Sequence, residues 1–147
     1  RGAGCYVGEL DGHKLDAALL LMPCLDYKSP DDPRLRATLD CIERRLGRGP
    51  FIYRYERGSD DFDSTEGAFG ICSFWLVEAL ARIGEVERAR DNFEKLLGVA
   101  NDVGLYGEEI DPGTGAALGN FPQAFTHVGL INAAVAIDRA EKGAGAG

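Results

Sequence analysis

The sequence contains no long hydrophobic run and few basic residues, and both absences exclude classes of function. No apolar stretch reaches the roughly 18 to 20 residues that span a bilayer, so no membrane segment is expected. Lysine and arginine total 16 against 24 acidic residues, which gives a net charge of −8. Proteins that bind nucleic acid usually carry a basic surface instead. Nucleic acid is therefore not an expected partner.

Paired cysteine motifs and an export signal are also missing. Cys5, Cys24, Cys41 and Cys72 show no CxxC spacing, and a chain of 147 residues does not need disulfides to be stable. Buried, reduced thiols and a cytoplasmic location are therefore expected. The chain begins at Arg1 without a methionine or a charged-then-apolar leader. We expect no export signal and a further segment upstream.

What the sequence does contain is helical periodicity of two kinds. Residues 33–46 and 86–100 carry apolar side chains on one face, which predicts amphipathic helices with one side in solvent. Residues 15–25, 68–81 and 124–137 are apolar nearly all round, which predicts helices that are buried on most sides.

The two kinds of helix alternate along the chain, so the predicted unit is a helical hairpin that repeats. Long loops precede the buried helices, at residues 1–14, 49–66 and 102–122. Two layers of alternating helices, with all the long loops at one end, describe an α/α toroid. We interpret residues 1–147 as a single all-α domain or fragment, with a flexible tail at residues 138–147.

About two and a half hairpins are present, and these cannot close a ring. The inner helices would leave an apolar face open to water, at a cost of roughly 25 cal/mol per Å². The sequence therefore predicts a partner for this face, either the remainder of the barrel or another chain.

The long loops are rich in the side chains that a sugar pocket uses. A sugar ring has apolar faces and a rim of hydroxyls, which suit aromatic rings beside carboxylates and guanidinium groups. Acidic loops are most often simply solvated, so composition alone leaves both interpretations open. The candidates are Tyr6, Glu9, Asp11 and His13 in the first loop, Tyr53, Arg54, Tyr55, Asp60, Asp61, Asp63 and Glu66 in the second, and Tyr106, Glu108, Glu109 and Asp111 in the third.

Most of the chain resembles a known family. The stretch "EGAFGICSFWLVEALARIGEVERARDNFEKLLGVANDVGLYGEEIDPGTGAALGNFPQAFTHVGLINAA" is similar to the C-terminal part of bacterial glycoside hydrolase family 15 proteins. The upstream segments "LDAALLLMPCLDY", "DDPRLRATLDCIERRL" and "IYRYE" are similar to the family in the same order. This family contains glucoamylases, glucodextranases and some trehalases on an (α/α)6 barrel. The resemblance implies that the chain forms the last two and a half of six hairpins.

The block "EEIDPGTGAALGNFPQAFTH" carries the catalytic base in this family, which hydrolyses α-glycosidic bonds with inversion. The resemblance gives that role to Glu108 and places Glu109 where the family often has glutamine. It also implies that Arg54 holds sugar hydroxyls of an α-glucoside oligosaccharide or trehalose. The family's general acid, usually near a Trp-Glu pair, has no counterpart here, because no Trp-Glu pair occurs and the only tryptophan, Trp75, lies in a predicted inner helix. We expect an active parent enzyme and an inactive isolated chain.

Three further residues are predicted to contact substrate, namely Glu66 where the second loop meets its helix, Phe125 at the mouth of the last helix, and Glu109. A structural hydrogen bond remains an equal alternative for Glu109. The "DPGTG" stretch that begins at Asp111 is expected to form a turn rather than a calcium loop. His127 is expected in the core rather than at a metal, and no metal or cofactor is expected.

One alternative comes from a different functional class. The chain could be a non-catalytic helical-hairpin module that binds carbohydrate or another protein. Activity on maltose, dextran-type oligosaccharides or trehalose would distinguish the two hypotheses.

Overall fold

The computed structural model describes residues 4–56 and 66–144, and it is mostly helical. The helices are the 3-10 helix Ala17–Leu21 and the α-helices α1 (Pro33–Leu46), α2 (Gly70–Arg82), α3 (Val86–Leu97) and α4 (Ala124–Ala144). The strands are β1 (Gly47–Arg48), β2 (Phe51–Ile52), β3 (Ala68–Phe69), β4 (Glu109–Ile110) and β5 (Ala117–Leu118). The all-α class is confirmed, while the short strands, which the sequence pattern does not predict, connect loops.

Helix α1 has the predicted boundaries because strong end signals fix them. The Asp32 carboxylate accepts hydrogen bonds from the backbone N–H groups of Arg34, at 2.8 Å, and Leu35, at 3.2 Å. Pro33 occupies the first helical position, where the missing N–H would have no partner within the helix anyway.

The prediction of an inner helix over residues 15–25 is wrong in type and in length. Only Ala17–Leu21 is helical, and it is a 3-10 helix. Pro23 comes directly after the capping residue Met22 and cannot donate a backbone hydrogen bond, which disfavours continuation as an α-helix. Asp26 has a positive φ of 52° and turns the chain before α1.

The other helices differ from prediction at their ends. Helix α2 begins at Gly70 because Ala68 and Phe69 pair with β4 instead. Helix α3 ends at Leu97 and not at the predicted residue 100. The backbone N–H of Gly98 caps its last turn.

The flexible tail expected at residues 138–147 is helical as far as Ala144. Lys142 pairs with Asp138 one turn earlier at 2.7 Å, and Glu141 pairs with Arg90 of α3. These ion pairs lie in the part of α4 that follows residue 137, where the apolar stretch used for the prediction ends. Residues 145–147 lie outside the described part of the chain.

Helix α2 lies at the centre of the fold, as predicted for an inner helix. Every residue from Gly70 to Ala81 is buried. Helix α4 packs along α2, α3 contacts both, and the 3-10 helix lies against α1 and α2. Helix α3 is an outer helix, in which Ala89 and Leu96 are the buried residues. The alternation of inner and outer helices is thereby confirmed.

The three long loops meet at one end of these helices. Strand β4, in the third loop, pairs with β3, which follows the second loop, and with β5. Asp16, two residues after the first loop, forms an antiparallel bridge with Tyr55 of the second. Backbone hydrogen bonds therefore connect all three loops.

One face of α4 is apolar and uncovered, as predicted for an inner helix of an incomplete ring. Phe125 is 54% exposed, Val128 50%, Ile131 60% and Val135 42%. Their spacing of three or four residues places them on one side of the helix. Among the described helices, none is both long and apolar enough to cross a membrane.

Candidate active site

A cleft of about 340 Å³ lies where the loops meet the inner helices. Four of the five predicted site residues line it, namely Arg54, Glu66, Glu108 and Phe125. They come from three separate parts of the sequence, so the fold brings them together. A volume of this size is at the lower end of the range for small-molecule sites.

The side chain of Glu108 is held from one side by Asn120. Oε2 of Glu108 accepts two hydrogen bonds from Asn120, one from the backbone N–H at 3.1 Å and one from the side-chain Nδ2 at 2.9 Å. The backbone N–H of Glu108 donates to the carbonyl oxygen of Asn120 at 2.9 Å, and the N–H of Gly70 donates to the Glu108 carbonyl at 2.9 Å. Glu108 is thus fixed both in its loop and against the start of α2.

Glu109 has different surroundings from its neighbour. It pairs with Phe69 across β3 and β4, and its Oε2 accepts a hydrogen bond from the backbone N–H of Gly67 at 2.7 Å. This contact is the structural hydrogen bond that the sequence left open for Glu109. Its carboxylate therefore links the third loop to the end of the second.

Glu66 is a half-buried carboxyl beside Glu109. Burial raises the pKa of Glu66, and the negative charge of Glu109 raises it further. Within this part of the cleft, a proton is therefore held more readily by Glu66 than by a solvated glutamate.

Arg54 is oriented by an aspartate that the sequence analysis did not identify as functional. Its Nε lies 3.0 Å from Oδ1 of Asp16, and its Nη2 donates to Oδ2 at 3.3 Å. Asp16 also caps the 3-10 helix by accepting from the N–H of Ala18 at 2.7 Å. The only local signal for Asp16 was its position near the start of the predicted apolar helix over residues 15–25.

The guanidinium of Arg54 also lies near aromatic rings and a thiol. Its central carbon is 5.3 Å from the ring centre of Tyr55 and 5.8 Å from that of Trp75. Burial raises the pKa of the Cys72 thiol to about 12, although Arg54 acts in the opposite direction. Cys72 is therefore a neutral thiol in the wall of the cleft.

Phe125 offers an aromatic surface at the edge of the cleft. Its ring meets Trp75 edge-on, with centroids 6.0 Å apart and an interplanar angle of 78°. Trp75 is buried and belongs to the core, whereas Phe125 is more than half exposed. Phe125 is thus available as a platform for an apolar ring face.

Several aromatic candidates from the loops lie away from the cleft. Tyr53 and Tyr106 are buried, and the hydroxyl of Tyr106 donates to the carbonyl of Leu96 at 3.1 Å. The ring of Tyr6 stacks under Arg34, with 4.0 Å from the guanidinium carbon to the ring centre. These residues support the loops and do not line the cleft.

Asp111 and His127 make local contacts, and three aspartates of the second loop lie outside the described residues. Asp111 accepts a hydrogen bond from the N–H of Gly113 at 2.7 Å, which lowers the pKa of its carboxyl and forms the predicted turn. Nδ1 of His127 lies 2.8 Å from the carbonyl oxygen of Gln123. Among the described residues no group of three His, Cys, Asp or Glu could hold a metal ion. Asp60, Asp61 and Asp63 fall in the part that the structure does not describe.

The similar proteins of known name are trehalases, and the similar solved structures are glycosidases. The chain is 51% identical to a trehalase of Mycolicibacterium smegmatis over 130 residues, which is 87% of this chain and 20% of that protein. It is 47% identical to a trehalase of Mycobacterium tuberculosis over 141 residues, 95% of this chain and 21% of the relative. A trehalase of Thermoplasma volcanium is 38% identical over 135 residues, 92% of this chain and 22% of the relative. The chain thus spans about a fifth of the length of these relatives.

The solved structures extend the likeness to the fold. A wild-type glycosidase superposes with a TM-score of 0.78 at 19% identity, over 94% of this chain and 40% of the other. A glycosidase variant in complex with glucose gives a TM-score of 0.76 at 17% identity, over the same two shares. Their helical architecture agrees with a partial (α/α)6 toroid. The sequence model of the glycosyl hydrolases family 15 matches residues 4–135, and the chain belongs to that family.

Proposed function

We propose that this chain is the part of an inverting α-glycoside hydrolase that supplies the general base, Glu108. The observation that carries the proposal is the cleft, in which Glu108 lies with Arg54, Glu66 and Phe125. A base carboxylate is one of the two carboxyl groups that inverting hydrolysis uses, and a cation and an aromatic surface suit the hydroxyls and the apolar faces of a sugar.

The proposed reaction uses Glu108 to remove a proton from water. The water oxygen then bonds to the anomeric carbon, while the bond from that carbon to the leaving oxygen breaks and a carboxylic acid protonates the leaving oxygen. In inverting enzymes the two carboxyl groups lie about 6.5–9.5 Å apart, with the water between base and sugar. We assign the acid to polypeptide outside these 147 residues, so the isolated chain is expected to be inactive.

Asn120 supports the assignment of the base. Both hydrogen bonds that it donates end on Oε2 of Glu108, and among the described residues none donates to Oε1. Oε1 is then the oxygen for the proton of the attacking water. Arg54 and Glu66 would contact sugar hydroxyls, and Phe125 an apolar face of the ring.

Trehalose is the proposed first substrate, because the similar proteins described above are trehalases. Maltooligosaccharides and dextran-type oligosaccharides are the alternatives within the family. The remainder of the polypeptide is the proposed partner for the uncovered face of α4. Its helices would complete the ring that the present hairpins begin.

The test measures glucose release from trehalose, maltose and isomaltose by the full-length protein and by its Glu108→Gln variant. An amide cannot accept the proton, so turnover should fall by at least about 100-fold. Glu94→Gln on the exposed side of α3 is the matched control and should keep full activity. Full turnover by Glu108→Gln would refute the base assignment. A full-length protein that binds sugar but hydrolyses none of the three would favour the non-catalytic alternative.

A further inference from the structure

The third loop contains a second polar residue, Asn120, and each hydrogen bond that it makes within the described part of the chain involves the proposed base. Asn120 makes three hydrogen bonds with Glu108, although the two are twelve residues apart. Two run from the backbone N–H and the Nδ2 of Asn120 to Oε2 of Glu108. The third runs from the backbone N–H of Glu108 to the carbonyl oxygen of Asn120, at 2.9 Å.

The backbone next to Asn120 is shaped for this contact. Gly119 has a φ of 69°, in the region that L side chains rarely adopt. A Cβ added there would lie 2.9 Å from Oε2 of Glu108 and 3.1 Å from its Cβ. A larger residue at position 119 would therefore collide with the carboxylate, so the chain passes directly beneath the base.

We propose that Asn120 is the positioning residue of the general base, holding Oε2 of Glu108 so that Oε1 meets the attacking water. This inference rests on the proposed function of Glu108. Asn120 touches no substrate in this scheme and acts only through the carboxylate. Two N–H donors on one oxygen fix the plane of the carboxylate.

The other charged groups around Glu108 do not offer the same support. Arg54 and Glu66 line the same cleft, and Glu109 is the next residue in the chain. The Arg54 guanidinium is already paired with Asp16. Glu109 is bonded to Gly67. Among the described residues, Asn120 alone donates hydrogen bonds to the Glu108 side chain.

The decisive variant is Asn120→Asp in the full-length protein. It keeps the size of the side chain and the backbone N–H bond, but it replaces the Nδ2 donor by a carboxylate oxygen. We expect kcat on the hydrolysed sugar to fall about 10- to 100-fold, as for loss of a hydrogen bond to a charged group. KM should stay within about twofold, because no sugar contact is removed. The limb of the kcat/KM profile that reports ionisation of the base should move to higher pH.

Asn101→Asp, directly before the third loop, provides the matched control. Asn101 uses its Oδ1 to accept from the N–H groups of Val103 and Leu105, at 3.1 and 2.7 Å. Aspartate preserves both contacts, so this variant adds the same charge without changing the base. Its kcat and pH profile should equal those of the unchanged protein.

Asn120→Ala separates positioning from charge, since it removes the donor without adding a carboxylate. It should also lower kcat with KM little changed, and melting curves of each variant report folding. A fall in kcat with an unmoved profile in Asn120→Asp, or an unchanged kcat in both variants, would overturn the inference. If Glu108→Gln retains turnover, the base assignment itself fails. If Glu108→Gln is inactive and the Asn120 results are negative, only the positioning role fails.

Discussion

At the scale of the residue, two adjacent glutamates have different chemical surroundings for a geometric reason. Successive side chains of extended backbone point to opposite faces, and Glu109 lies in β4 directly after Glu108. Glu108 consequently lines the cleft, whereas Glu109 is bonded to the N–H of Gly67. A one-residue shift of this strand would turn the Glu109 side chain toward the cleft and the Glu108 side chain away from it.

The raised pKa of Glu66 leads to a prediction about stability. Burial and the charge of Glu109 both favour the protonated form in the folded protein. The folded state therefore binds this proton more tightly than the unfolded state, whose pKa is roughly 4.3. Stability from Glu66 is fully present below that value and is lost as pH rises through the folded pKa. Glu66→Gln should raise the melting temperature of the full-length protein at pH 7 and have less effect near pH 3.

Glu94→Gln on α3 is the reference for this comparison, since it makes the same chemical change at an exposed site. Melting curves of both variants at the two pH values give the answer. A melting temperature of Glu66→Gln that falls at pH 7 would show that the ionised carboxylate stabilises the fold.

The pair of Asp16 and Arg54 leads to a prediction about substrate affinity. Asparagine at position 16 keeps one oxygen acceptor but loses the negative charge and one of the two contacts to the guanidinium. Arg54 would then be less well oriented toward sugar hydroxyls. Asp16→Asn should raise KM by about 3- to 30-fold, with a smaller effect on kcat.

A matched control exists for the capping role of Asp16. Asp32 caps α1 through the same kind of contact to backbone N–H groups, and asparagine caps helices about as well as aspartate. Asp32→Asn should therefore leave KM unchanged. In an Arg54→Lys background, Asp16→Asn should raise KM little further, since Asp16 affects KM only through the orientation of the Arg54 guanidinium. Additive effects of the two substitutions would contradict this scheme.

At the scale of the element, the site depends on how closely the start of α2 approaches α4. A Cβ at Gly70 would lie 2.6 Å from Cγ2 of Thr126. Thr126 is buried, and its hydroxyl donates to the carbonyl of Gly107 at 3.0 Å. This threonine cannot move away without breaking that hydrogen bond. The starts of the two helices therefore pack tightly beside Glu108, whose carbonyl oxygen would lie 3.5 Å from the same Cβ.

Gly70→Ala should therefore destabilise the full-length protein by about 1–3 kcal/mol, the usual cost of overpacking a core. Gly143→Ala in α4 is the control, because nothing lies within 4 Å of its added Cβ. Alanine there should be neutral or stabilise by up to about 1 kcal/mol. Urea unfolding at equal m-values measures both. Equal stability of the two variants would mean that the helix starts are less tightly packed than described.

The helices show which elements could be predicted from sequence. The boundaries of α1 could be predicted because Asp32 and Pro33 are local signals. The start of α2 could not, because Ala68 and Phe69 join a strand that lies about forty residues away in sequence. Residues 15–25 have the composition of a buried helix, but Pro23 and the positive φ at Asp26 leave a short 3-10 helix.

The prediction of site residues was limited in the same way, because partners distant in sequence leave no local signal. The resemblance to the family indicated Glu108 through the third-loop block and Arg54 through "IYRYE", and the structure adds Asp16 and Asn120, whose side chains contact them. Asp16 is 38 residues from Arg54 and Asn120 is twelve from Glu108. No local pattern indicates such pairs, because they depend on how the loops meet in three dimensions.

At the scale of the whole molecule, the uncovered face of α4 contrasts with the enclosed core around α2. Phe125, Val128, Ile131 and Val135 present four large apolar side chains to solvent. Contiguous apolar surfaces of this kind usually mark a contact with other polypeptide. Since the chain spans about a fifth of its trehalase relatives, the remaining polypeptide is the proposed cover.

Ile131→Glu in the full-length protein tests this proposal. Ile131 is 60% exposed in the present chain, so by itself the change should be nearly neutral. If other helices cover it, the substitution buries an unpaired carboxylate and should cost about 3 kcal/mol or more. Leu97→Glu on the outer helix α3 is the control, at 46% exposure, and should cost less than about 1 kcal/mol. Equal, small losses of melting temperature in both variants would show that the α4 face stays open to water in the full-length protein.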